Sequence, residues 1–220
     1  MNESAAGASR EGDERRADAV AGADSAPVEL PVDTPIWGRF FMVAPLVIVG
    51  TRDATGSDDL APKHMAMPLG WENRFCFACS PDHTTQQNAI ASGEFAVSFP
   101  RPGQIVDSSL AAGPRADDGS KPTLEAIPTR EAQRVSAPLV QAAYLWLECE
   151  VERIVEGFGR NTLIVGAIVA AAADGSVLRD EDRDDSELIR ATPLLAYLAP
   201  GRFAEVGESY SFPFHADFRL

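Results

Sequence analysis

The sequence predicts a mainly β domain, an antiparallel and Greek-key-like barrel, closed or partly closed, with one or two short helices. Three observations carry this. Short apolar, β-branched runs recur between turn-forming clusters of Gly, Pro, Asp and Ser. The two longest runs flank a single Gly-containing turn. Closing a sheet on itself removes the exposed edges that so many short strands would otherwise present.

The elements follow in order. Residues 1–26 are Ala, Gly, Ser and charge, with Val20 the only large apolar side chain after Met1. Such a segment buries too little surface to offset chain entropy, so a disordered tail is expected, followed by one folded domain over 27–220. Residues 44–51 (APLVIVGT) read as a strand, because they are β-branched and lack a helical stripe. Residues 52–59 (RDATGSDD) are turn chemistry, and a hairpin returns through 60–68. Residues 74–80 (RFCFACS) form another strand. Residues 82–92 predict a short helix, with Asp82 and the following threonines as caps and Gly93 as its stop. Residues 94–99 (EFAVSF) alternate as a strand does, and Pro100 and Pro102 close them. Residues 107–134 are rich in Ser, Ala, Gly, Asp and Pro; an excursion that long predicts a lid, an arm or a mobile segment. Residues 143–155 and 162–173 flank EGFGRN at 156–161 and predict the longest hairpin. An acidic solvated loop over 174–187 and a wrapping C-terminal segment complete the chain.

The formal net charge is −14. Residues 1–26 contribute −3 and residues 174–187 contribute −5, so the folded body is only mildly acidic. This charge argues against nucleic acid and against an anionic membrane surface as partners. Three cysteines in 220 residues make no disulfide framework, which fits a reducing cytoplasm. The N-terminus has no apolar signal region, and the longest apolar stretch, 163–173, is about half of a membrane span.

Motifs carry less than they first suggest. Cys76-x-x-Cys79 with His83 lies in a predicted strand, where residues three apart face opposite sides, so buried apolar cysteines are expected and no metal site. Gly157-x-Gly159 lacks the third glycine of a dinucleotide fingerprint and reads as a hairpin turn. His64 and His215 have no metal-ligand spacing. The strongest local signal is SPDHTTQQN at 80–88, which ends a strand and opens a helix with hydroxyls and amides in its first turn. Free N–H groups there favour an anion, and ordinary helix capping is the alternative.

The order of segments resembles the flavin reductase-like family. The strand APLVIVGTRD comes first. Next, LAPKHMAMP at 60–68 is similar to the family's Asn-x-Ala-Pro-x-Ser segment. Thr85-Gln-Gln-Asn88 with Gly93-Glu-Phe95-Ala-Val97 follows, and then LECEV at 147–151 with LIVG at 163–166 in a late hairpin. The resemblance implies an FMN-binding split barrel of the flavoredoxin-like type, with FMN held noncovalently at a homodimer interface and NAD(P)H as co-substrate. It implies that Lys63, His64, Met65 and Ala66 border the flavin ring. It places the phosphate near Ser80, His83, Thr84, Thr85 and Asn88, with the Thr85 hydroxyl donating to it. A monooxygenase or another electron acceptor is the implied partner. Two departures stand out. The late hairpin reads Gly159-Arg160-Asn161 where members often show Gly-Asp-His, leaving Asn161 at the histidine's place, and Asp59 stands where many members have Asn. No catalytic residue is assigned. The alternatives are a barrel that holds flavin, or another planar cofactor such as haem, without NAD(P)H turnover, and a barrel that has lost its cofactor.

Overall fold

Residues 42–52 form two strands rather than one. In the computed structural model, which describes residues 26–180 and 182–214, they divide at Leu46 into Met42–Pro45 (β1) and Val47–Arg52 (β2), which join different sheets. Pro45 has no N–H with which to continue a ladder. The expected tail lies outside the described residues except for Ala26, as does His215. Residues 26–36 carry no helix or strand, and a separate compact unit begins at Trp37.

The remaining strands are Asp58–Lys63 (β3), Ala66–Pro68 (β4), Arg74–Cys79 (β5), Glu94–Phe99 (β6), Thr129–Glu131 (β7), Pro138–Val140 (β8), Leu145–Phe158 (β9), Asn161–Ala173 (β10), Leu194–Ala199 (β11) and Arg202–Val206 (β12). A curled, fully antiparallel sheet of seven runs β3-β2-β6-β9-β10-β5-β4, a split barrel. A second sheet runs β1-β11-β12, and β7 pairs with β8. The β9–β10 hairpin is the longest, as expected. Between β2 and β3 the Asp53 carboxylate closes the turn by accepting from Thr55 N at 2.8 Å and Ser57 N at 2.9 Å.

The described residues hold three α-helices, one more than expected: Thr84–Ser92 (α1), Ile105–Ala111 (α2) and Asp185–Ala191 (α3). α1 ends at Gly93, whose φ of 74° suits a glycine. Its start differs from the expectation, because His83 takes the cap position and makes no side-chain cap bond. α3 begins at the end of the acidic segment, where Asp184 accepts from Ser186 N and Glu187 N.

The inner face of the sheet buries Val47, Val49, Phe75, Phe77, Phe95 and Ile164. Phe77 and Phe95 meet edge to face at 5.2 Å. Gly166 is required beneath Phe95, because an added Cβ would lie 2.5 Å from that ring. The outer face is covered too. Ile48 and Leu60 pack against Ala111, Ile127 and Val140, with Leu110 and Leu124 beside them. Burial on both faces explains the unbroken apolar run of β2. It also shows that the 107–134 excursion is folded: α2, a 3₁₀ turn at Pro122–Ala126 and β7 lie in or overlap it, and Leu110, Ala111, Leu124 and Ile127 of the excursion pack into this second core. No helix among the described residues is long and apolar enough to cross a membrane.

Candidate functional site

Three elements meet where the excursion returns to the barrel: β3, the start of α1, and the segment 111–121. They enclose a chamber of about 350 Å³ lined by Asp59, Pro62, Lys63, His83, Thr84, Thr85, Arg115 and Lys121, among others. Its floor is a buried ion cluster. Asp59 is only 2% exposed and pairs with Arg115 Nη2 at 2.5 Å and Lys121 Nζ at 3.6 Å. Thr85 Oγ1 donates to its other oxygen at 3.0 Å. Lys121 also donates to Leu60 O at 2.8 Å and Ala111 O at 2.6 Å. Burial pushes the Lys121 ammonium below its ordinary pKa; Asp59 draws it back up, and Arg115 opposes that.

Two chambers adjoin this one. A polar chamber of about 440 Å³ shares Asp59, Thr84, Arg115 and Lys121 with it and adds Asp53, Ser57, Asn88, Asp118 and Ser120. An apolar chamber of about 350 Å³ shares Pro62 and Ala112 and is walled by Leu46, His64, Ile105, Tyr197 and Phe203. The His64 and Tyr197 rings lie 4.8 Å apart, tilted by 39°. Half-burial of His64 and the neighbouring Lys63 charge hold its pKa below the ordinary histidine value.

The residues singled out by the resemblance distribute as follows. Lys63, His83, Thr84 and Thr85 share the cationic chamber, Asn88 lines the polar one, and His64 lines the apolar one. The Thr85 proton, expected on a ligand, is committed to Asp59. Asn88 Nδ2 donates to Thr51 Oγ1 at 3.3 Å, so that side chain ties α1 to β2. Ser80 lies outside these linings and bonds with Asp82. Met65 is exposed, and Ala66 belongs to the inner core, because successive residues there face opposite sides. Asn161 begins β10 and lines none of the three chambers, although the neighbouring Arg160 reaches Asp82 at 3.2 Å. Sequence reasoning missed Arg115, Lys121 and Tyr197. The signal for the first two was a pair of cations in a segment expected to be a lid, an arm or a mobile segment, to which no site residue was assigned.

No cysteine lines the three chambers. Cys76, Cys79 and Cys149 are free and buried. Burial pushes the Cys76 thiol up and the Cys149 thiol up to about 12. Cys79 Sγ lies 3.7 Å from His83 Nδ1. No group of three or more His, Cys, Asp and Glu among the described residues is arranged to hold a metal ion.

An apolar, aromatic-walled chamber beside a cationic, hydroxyl-bearing one suits a ligand with a planar ring at one end and an anion at the other. An uncharacterized protein of Methanothermobacter thermautotrophicus is 26% identical over 157 residues, 69% of this chain and 73% of that one. Nitrilotriacetate monooxygenase component B from Bacillus cereus superposes with a TM-score of 0.72 at 18% identity, covering 86% of this chain and 100% of its own. The FMN-binding protein of Thermus thermophilus with bound 1-cyclohex-2-enone gives 0.66 at 19% identity, covering 85% and 98%. These two structures establish likeness of fold. The flavin reductase like domain model matches residues 37–203, most of the chain, and the protein therefore belongs to the flavin reductase-like family.

Proposed function

We propose that this protein binds FMN across the joined apolar and cationic chambers and acts as an NAD(P)H-dependent flavin reductase or a related electron-transfer flavoprotein, working as a homodimer. The observation that carries the reading is the shared wall at Pro62 and Ala112, which line both an aromatic-walled apolar chamber and the chamber containing Lys63, Arg115 and Lys121. Bound FMN would supply hydride acceptance and electron transfer at its ring. The chain supplies binding and orientation. His64 and Tyr197 would flank the ring, Pro62 and Ala112 would pack beside the ribityl chain, and the cationic chamber would take the phosphate. The names of two structural neighbours, an FMN-binding protein and a monooxygenase component, support a flavin ligand and a monooxygenase as electron acceptor.

A second reading, flavin binding without nicotinamide turnover, is favoured by one observation: the turn of the late hairpin, Gly159-Arg160-Asn161, holds no histidine. Two measurements decide. The purified full chain should be yellow, or become so with FMN, with flavin absorbance in the visible. Anaerobic NADH or NADPH should then bleach it. A colourless protein that takes up no FMN overturns the flavin reading. A yellow protein that neither nucleotide bleaches leaves the binding module.

A further inference from the structure

The three cations of the chamber are not equivalent. Lys121 directs its ammonium at two carbonyl oxygens and at Asp59, and its side chain is 8% exposed. Its donors are spent inside the protein. Lys63 is a point charge on a flexible stem at the end of β3. Arg115 differs from both. Its guanidinium carries five N–H groups, of which one donates to Gly119 O at 2.7 Å and one to Asp59 at 2.5 Å. Three N–H groups remain. The side chain is 31% exposed and lines both the cationic and the polar chamber, with Thr84 on the same walls.

The same contacts fix its orientation. Asp59 is held from its other oxygen by Thr85 and flanked by Lys121, so it cannot follow a moving arginine. Gly119 holds the guanidinium from the far side, across a turn closed by Gly119 N to Ala116 O at 2.9 Å. Lys63, Arg115 and Lys121 against Asp59 and Asp82 on the chamber walls leave one positive charge over. A planar donor fork, already oriented, matches a phosphate better than a mobile ammonium does, because less freedom is lost on binding.

We propose that Arg115, supplied by the excursion and oriented by Asp59 and Gly119, is the residue that makes this protein select a phosphorylated flavin over riboflavin. The proposal rests on the reading that the joined chambers hold a flavin. It replaces the α1 hydroxyl of Thr85, whose proton Asp59 takes, as the main determinant of phosphate recognition.

The test titrates FMN, riboflavin and inorganic phosphate separately into flavin-free full-length parent, Arg115→Gln and Arg115→Lys. Arg115→Gln should weaken FMN about ten- to a hundredfold, the range expected for losing a charged hydrogen bond. Riboflavin should change less than about twofold. Arg115→Lys, which keeps the charge beside Asp59, should fall between and should retain a cooperative melt if Arg115→Gln does not fold. Should FMN and riboflavin bind the parent, and their ratio stay the same in both variants, the role of Arg115 is overturned while the flavin reading stands. Should the parent bind neither flavin but bind phosphate in an Arg115-dependent way, flavin selection falls with the flavin reading, and Arg115 is left as a grip for some other phosphorylated ligand. Binding of none of the three overturns both.

Discussion

Thr85 and Asp59 share a buried hydrogen bond: Thr85 Oγ1, in the first turn of α1, donates to Asp59 Oδ2 on β3 at 3.0 Å. The pair joins helix to sheet at the floor of the cationic chamber. A hydroxyl has one proton, so this one is not free for a ligand. Thr85→Val keeps the volume and removes the bond. It should cost roughly 1.5–3 kcal/mol, as for a hydrogen bond to a charged group, and lower the melting temperature by several degrees. FMN and riboflavin affinities should move together. A variant that melts like the parent but loses FMN alone would place the hydroxyl on the ligand.

Asp59 should be the most sensitive position of the cluster. It balances Lys121, whose side chain is 8% exposed, and pins Arg115. Asp59→Asn keeps the shape and leaves a buried ammonium without its counter-charge. Breaking such a pair costs about 3–5 kcal/mol. Lys121→Met should be milder, because Arg115 still neutralises Asp59. Urea unfolding of both single variants and the double variant gives the coupling. The double should cost less than the two singles together, since removing both charges leaves neither orphaned. Strict additivity would show that the two charges do not interact.

The chain's local signals announce its local elements. β-branched runs bounded by turn residues became strands, Gly93 ended α1, and the longest β-like pair became the β9–β10 hairpin. What sequence could not show was pairing at a distance. Arg115 meets Asp59 across 56 residues. The excursion reads as a loop because its Ser, Gly and Asp conceal four apolar anchors, Leu110, Ala111, Leu124 and Ile127, which have a partner only once the outer face of β2 and β3 exists. Thr84 and Thr85 look alike in sequence. Helix geometry separates neighbours by about 100°, so one turns to Asp59 while the other lines both the cationic and the polar chamber. Met65 and Ala66 differ in the same way, one facing solvent and one the core.

His64 should make stability depend on pH in the mildly acidic range. Its folded pKa lies below the ordinary 6.5 because it is half-buried and beside Lys63. Tyr197 stacks on it, and Arg202 lines the same chamber, a second cation. A group with a depressed basic pKa binds more protons unfolded than folded in the window below 6.5. Stability therefore falls as pH drops through that window and is flat above it. The melting temperature of the parent should decline between pH 7.5 and 5.5. His64→Phe, which keeps an aromatic against Tyr197, should flatten that decline. Identical slopes in parent and variant would assign the effect to other groups.

The proposed homodimer has a candidate contact surface. β4 is an edge strand of the seven-stranded sheet, and the apolar side chains around it face solvent: Met65, Met67 and Trp71, the last 94% exposed. The distal half of the hairpin adds Ile154, Val155 and Phe158. Single exposed apolar residues are ordinary, but large ones grouped at a strand edge mark an interaction surface. A second copy of the chain, covering them on a stable interface, would bury roughly 2,000 Å² or more in total. Sedimentation velocity at micromolar concentration should show the parent as a dimer. Met67→Glu with Trp71→Glu should shift it toward monomer, since two carboxylates per chain would have to be desolvated in the contact. Far-UV circular dichroism should stay unchanged, because neither side chain belongs to the core. A monomeric parent would sink the dimer. A dimeric parent whose double variant stays dimeric would keep the dimer and move the contact away from β4.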